Sequence, residues 1–286
     1  CDNYAYKHSK ETFIKKISIF FKKNTESIVM KIKAREFVPP IIDRVFLFLN
    51  RIFIEKFHIN SGLLLHPFDD IPLKSNDVKL IIDIGANHGA VSMQALKSYP
   101  NARVICYEPV RSTFISLTKN LNKYQDRVTL HNIALSDKPG ELKINLMSFD
   151  GANSLDMQSD YHKEYNPHVK KIGEESVEVK TLDDIYIDSE SEIVDIVKID
   201  VEGFEVNVLK GGEVFFKERV KFVLIEIAFM RDGSIDNQDV YKIFSFFEKV
   251  GFALINVIDL HAAPNDSQNL RIAQMDCVFM NTKHIK

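Results

Sequence analysis

An α/β domain on a seven-stranded, mostly parallel sheet with helices on both faces is the fold that this 286-residue sequence predicts. From about Val78 onward, β-branched runs alternate with stretches of helical periodicity, the pattern of parallel strands joined by crossover helices. Runs such as "LIIDI" and "VDIVKI" are apolar without alternation, so both faces of these strands are covered. Several strands also end in an acid beside a turn: Asp83, Glu108, Asp200 and Glu226.

The elements follow in order. Residues 1–60 are basic and rich in Phe and Ile ("FIKKISIFFKKN", "IIDRVFLFLNRIFIEKF") and read as a helical N-terminal extension. Residues 61–77 mix Gly, Pro, Asn and Asp and read as a linker. The main domain, 78–286, opens with the strand "VKLIIDIG", followed by a helix from His88 to Ser98 that Pro100 stops. "ARVICYEP" is the second strand and Ser112 to Asn122 the second helix, with Phe114, Leu117 and Leu121 on one face. "RVTLHNIAL" is the third strand. Between strand-like "GELKINLM" and "SVEVKTL" lies a polar insertion, 148–176, too long for an ordinary connection and suited to a lid or substrate loop. "IVDIVKID" and "VKFVLIEIAF" follow. A helix carrying Val240, Ile243, Phe244, Phe247 and Val250 then leads to "FALINVIDL" and "MDCVFM", close enough to form a hairpin.

Charge and cysteines narrow the partners. The net charge is −3, yet residues 1–60 hold twelve Lys and Arg against six Asp and Glu, a local +6 that leaves −9 for the rest. The tail suits peripheral contact with an anionic membrane, or helices that pack on the domain or form a homodimer. No run reaches the roughly 18 apolar residues that span a bilayer. The acidic body has no basic stripe with interleaved aromatics, which excludes nucleic acid as a partner. Cys1, Cys106 and Cys277 form no C-x-x-C pair, so neither zinc nor a disulfide framework is expected and a cytoplasmic setting fits.

The chemistry gathers at the strand ends. In "LIIDIGANHGAVSMQAL" a buried strand ends in Asp83, and Gly85 and Gly89 open a helix. The spacing is D-x-G-x-x-x-G, which lacks the third glycine of the dinucleotide fingerprint and disfavours an NAD-type oxidoreductase. A carboxylate there would repel a pyrophosphate but could hold an amino acid's ammonium, directly or through water, so an adenosyl-methionine ligand fits better. Glu108, 19 residues after Gly89, stands where an acid takes ribose hydroxyls. Asn132 and Ala134 in "HNIALSD" would border an adenine, although Asn132 equally suits a turn cap. In "IVKIDVEGFEVNVLKGG", Asp200 and Glu202 stand at the carboxyl edge of a central strand, where open α/β sheets bind ligands. Lys198 and Lys210 are near enough in sequence to Glu202 to offer it an ion pair.

These stretches resemble the FkbM-type S-adenosylmethionine-dependent methyltransferases. The resemblance rests on "DIGANHG" at 83–89, "YEP" at 107–109, "NIALSD" at 132–137, "VKTLDDI" at 179–185 and, most specifically, "VKIDVEGFEVNVLKG" at 197–211. It covers roughly residues 78–282 and implies the class I methyltransferase fold, a Rossmann-like seven-stranded sheet with its last strand antiparallel. It also implies methyl transfer to a hydroxyl, on sugars of surface glycans or on related natural products. By resemblance, Asp83, Gly85, Asn87 and Gly89 form the cofactor loop, Glu108 holds the ribose, and Asp200 and Glu202 stand near the transferred methyl. Asn153 and Ser154 are weaker candidates for the cleft. As proton acceptor Asp200 comes first and His88 second. A divalent cation on Asp200, Glu202 or Glu226 is a third route, but no dedicated metal motif is present and no metal is predicted. A non-catalytic scaffold on the same fold is the rival reading.

Overall fold

The computed structural model describes residue 68 and residues 71–148, 170–187, 192–229, 238–262 and 272–284. The N-terminal extension at 1–60, most of the 61–77 stretch, and the insertion's core with Asn153 and Ser154 lie outside the described residues.

Strand β1 (Leu80–Ile84) leads to α1 (Ala90–Ser98), and β2 (Arg103–Tyr107) to α2 (Arg111–Leu121) and then β3 (Val128–His131). After β4 (Ala134–Leu135), β5 (Gly140–Met147) and β6 (Lys171–Lys180) come the short α3 (Leu182–Tyr186) and β7 (Val194–Ile199). The chain continues through α4 (Glu205–Lys210), α5 (Glu213–Arg219), β8 (Val220–Ala228), α6 (Gln238–Lys249), β9 (Phe252–Ala262) and β10 (Ile272–Asn281).

The main sheet has seven strands in the order β3-β2-β1-β7-β8-β10-β9. All neighbours pair parallel except β10, which runs antiparallel to both β8 and β9. The antiparallel final strand and the closing hairpin are therefore present as expected. From β1 the order steps to β2 on one side and to β7 on the other, so the connections diverge and a crevice opens beyond the carboxyl ends of β1 and β7.

Every residue of β1 and β7 is buried, which is why neither strand alternates in polarity. One face packs Ile81, Val104, Ile196 and Val278 against Ala95 and Leu96 of α1 and Leu117 and Leu121 of α2. Successive residues point oppositely, so Phe279 faces the other side, where it stacks on Phe247 of α6 at 4.0 Å. Phe68 and Ile71, in the stretch read as linker, are buried in the first of these cores.

Two local expectations change. Helix α1 begins at Ala90 rather than His88, because Asn87 and Gly89 take left-handed φ of 49° and 85° and hold the chain in a loop. "RVTLHNIAL" is two strands: β3 joins the main sheet, while β4 pairs with β6 in a separate three-stranded sheet of order β4-β6-β5. The break falls at Asn132, whose side-chain amide donates to the carbonyls of Glu108 and Pro109 at 2.9 and 2.8 Å. No described helix is long and apolar enough to cross a membrane.

Candidate active site

The loop after β1 is shaped by backbone that ordinary side chains resist. Gly85 has φ of 76°, and a Cβ there would lie 1.9 Å from the Asp200 carbonyl oxygen, so only glycine lets this loop rest on the end of β7. The amides of Gly85 and Ala86 both donate to the Tyr107 carbonyl at 3.0 Å, which fastens the loop to the end of β2 as well. The two glycines and Asn87 thus hold a turn between the three strand ends that border the crevice.

Glu108 anchors the other wall. Its carboxylate accepts from the backbone amide of Asn87 at 3.0 Å and from that of Val110 at 2.9 Å. Burial pushes its pKa up to about 7, against the opposing pull of those two amides and of Lys198. Asn87 places a second polar group here: its Oδ1 is buried and accepts no hydrogen bond. A buried acceptor without a donor costs free energy unless a ligand supplies one, so the wall leaves a place for a molecule's N–H or O–H group. Ala134 is buried in β4, paired with Val179, and Asn132 ties down the segment that leaves Glu108.

Asp83 takes a different position from the one its strand-end placement suggests. Its side chain is 1% exposed, accepts from Ser92 Oγ of α1, and faces the Lys198 ammonium at 3.5 Å. It therefore lies beneath the loop. His88 sits in the loop half-buried, and its carbonyl accepts from the Asn120 side chain at 2.9 Å.

The carboxyl end of β7 carries the acids. Asp200 Oδ2 lies 3.3 Å from Lys198 Nζ, and the same ammonium donates to the Gly85 carbonyl at 3.1 Å. Burial works against the charge on Lys198, yet Asp200 and Asp83 outweigh it and hold the lysine pKa above its ordinary value. Glu202 follows in a left-handed turn, φ 50°, beside Gly203 at 111°. That turn is held from within by Glu205, whose Oε1 accepts from the amides of Gly203 at 3.0 Å and Val201 at 3.4 Å.

Glu226 completes the corner from β8 and accepts from Gln274 Nε2 at 2.7 Å. Burial first, then Asp200, Glu202, Asp276 and Glu205, push its pKa well above the carboxylate range. Asp200, Glu202 and Glu226 each place an oxygen within 4.8 Å of the other two. The corner therefore sets a lysine-paired carboxylate beside a second acid that resists ionisation. Such a pair can hold a hydroxyl and take its proton.

Sequence reasoning placed these acids at one rim but passed over the part played by Lys198 and Glu205. The signal for Lys198 was legible: a cation inside the buried run "VDIVKI", two residues before Asp200 and so on the same strand face, must pair with something. The register of β1 on β7, Asp83 opposite Lys198, supplied the other partner.

The same stretch of chain is shared with known proteins. The profile of the methyltransferase FkbM domain matches residues 83–254, which run from the Asp83 strand end through β9's first residues. Methyltransferase sdnD of Sordaria araneosa is 31% identical over 183 residues, 56% of this chain and 70% of its own. The 2-O-methyltransferase NoeI of Sinorhizobium fredii is 27% identical over 179 residues, 60% of this chain and 73% of its own. The hexuronic acid methyltransferase AglP of Haloferax volcanii is 29% identical over 167 residues, covering 57% and 60%. With the glycine loop and the acid corner lying inside the matched span, the chain is a methyltransferase and belongs to the FkbM family.

Proposed function

We propose that the chain transfers a methyl group from S-adenosylmethionine to a hydroxyl, on a sugar of a surface glycan or on a related natural product. The observation that carries this reading is the wall made by Asn87 and Glu108, where a buried, unpaired Asn87 Oδ1 stands beside a buried carboxylate at the glycine loop. Adenosyl-methionine has donors for both, in its ribose hydroxyls and its ammonium. The acceptor class is supported by the similarity to NoeI and AglP, whose names specify 2-O-methylation and hexuronic acid.

When bound, the cofactor supplies an electrophilic methyl on a sulfonium that leaves as a neutral thioether. Glu108 binds the ribose, Gly85 and Gly89 admit the ligand close to backbone, and Asn132 and Ala134 border the adenine side. Asp83, beneath the loop, supports it through Ser92 and Lys198. Asp200 and Glu202 face the acceptor, and Asp200, paired with Lys198, takes the hydroxyl proton; His88 is the alternative base. Orientation of the acceptor oxygen can supply ~7–11 kcal/mol of the barrier, and a positioned base about 10²–10⁴-fold more. The basic N-terminal sixty residues suit an anionic membrane surface, which would bring the enzyme to a lipid-borne acceptor in the cytoplasm.

Calorimetric titration with S-adenosylhomocysteine, with NAD as control ligand, tests the reading. Micromolar affinity, about −8 kcal/mol, that is lost in Glu108→Ala is expected. Binding of NAD instead, or no binding of either, overturns it, and the second result favours the scaffold reading.

A further inference from the structure

We infer that Lys198 is a positioning residue whose single ammonium ties the cofactor loop to the acceptor-side acid, joining the Gly85 carbonyl, Asp83 and Asp200 in one node. The inference rests on the methyltransferase reading and assigns a role to a residue outside the predicted site. Lys198 Nζ lies 3.1 Å from the Gly85 carbonyl, 3.5 Å from Asp83 Oδ1 and 3.3 Å from Asp200 Oδ2. The ammonium donates to the loop carbonyl and forms ion pairs with a carboxylate at each of two strand ends. The side chain is 9% exposed, so water cannot take over its duties.

The arrangement has two consequences. Mechanically, the loop that receives the cofactor and the carboxylate that faces the acceptor share one tether, so Asp200 keeps its orientation whether or not the acceptor is present. Electrostatically, Lys198 is the cation inside a group of acids that includes Asp83, Asp200, Glu202 and Glu226. It sets how negative the corner is, and so how strongly a sulfonium is preferred over the neutral thioether that remains after transfer. A corner stripped of Lys198 holds the charged methyl donor more tightly relative to the product.

The test titrates S-adenosylmethionine and S-adenosylhomocysteine separately into the full chain and into the variants Lys198→Met, Lys198→Gln and Lys198→Arg. Loss of the charge in Met and Gln is expected to weaken S-adenosylhomocysteine binding about tenfold, because the loop loses its tether. It should also raise the donor-to-product affinity ratio at least about fivefold, while Arg restores both quantities to within about threefold of the natural chain. Gln can still donate to the Gly85 carbonyl, so it carries the test if Met does not fold. A ratio unchanged in the neutral variants, with both affinities falling together, assigns Lys198 a merely structural role and overturns the inference. Absence of binding by the natural chain is a separate result that removes the methyltransferase reading itself and this inference with it.

Discussion

At the scale of single residues, two positions make the site chemically specific. Glu108 is buried with its pKa raised to about 7, so it is ionised above that pH and neutral below it. On the proposed assignment, ribose hydroxyls would donate to the ionised form with its full set of lone pairs, and a protonated carboxyl loses acceptor capacity. S-adenosylhomocysteine affinity should therefore fall about tenfold between about pH 8 and about pH 6, as proton linkage requires when only the ionised form binds. Titrations across that range should show the slope; a flat profile in the natural chain would separate Glu108 from the ribose. Gly85 is constrained differently, because its added Cβ would strike the Asp200 carbonyl oxygen at 1.9 Å while φ stays at 76°. Gly85→Ala should cost about 1–3 kcal/mol in backbone strain alone, and the displaced loop should lose product binding by more than the melting temperature suggests. Which of these roles was legible depended on geometry that a strand pattern does not contain. Both faces of β1 are covered, so the sequence could place Asp83 at the strand end but not say that it turns under the loop toward Ser92 and Lys198.

At the scale of elements, the parallel strands and their crossover helices were legible because their signals are local: period, caps and breakers within a dozen residues. The smaller sheet was not, since β4 pairs with β6 more than forty residues away and the two-residue β4 is hidden inside an apparently continuous third strand. Only Asn132's bonds back to Glu108 and Pro109 explain the break, and nothing nearby in sequence announces them. The same distinction applies at the opposite edge of the main sheet. Asp195, 3% exposed, accepts from the amides of Lys79 at 2.6 Å and Leu80 at 3.1 Å and from Lys221 Nζ at 2.7 Å, so one carboxylate joins the starts of β1, β7 and β8. Asp195→Ala leaves those donors unmatched and should destabilise the fold by about 3 kcal/mol. Thermal melts should shift down by roughly 6–12 °C for a domain of this size. Product affinity at temperatures well below the melt should stay within about twofold, because the anchor lies at the amino ends of the strands and the site at their carboxyl ends. A selective loss of binding without a melting shift would contradict that division of labour.

At the scale of the whole molecule, charge separates the chain into parts with different preferences. Residues 67–286 form one compact unit that contains every residue of the glycine loop and the acid corner. The N-terminal sixty residues carry +6 and the remainder −9. An anionic membrane surface attracts basic residues by about 1 kcal/mol each, while the acidic body is repelled by the same field. Association should therefore depend on the tail alone and weaken as salt shortens the Debye length from about 10 Å at 0.1 M toward 3 Å at 1 M. The full chain should co-sediment with phosphatidylserine-containing vesicles at low salt and leave them at high salt, whereas a chain starting at residue 67 should stay in the supernatant. The shortened chain keeps Phe68 and Ile71 for its core and should bind S-adenosylhomocysteine as the full chain does. Retained vesicle binding by the shortened chain would move the membrane contact to the catalytic unit. Loss of vesicle binding together with unchanged product affinity would show that the tail carries the membrane contact and takes no part in holding the cofactor.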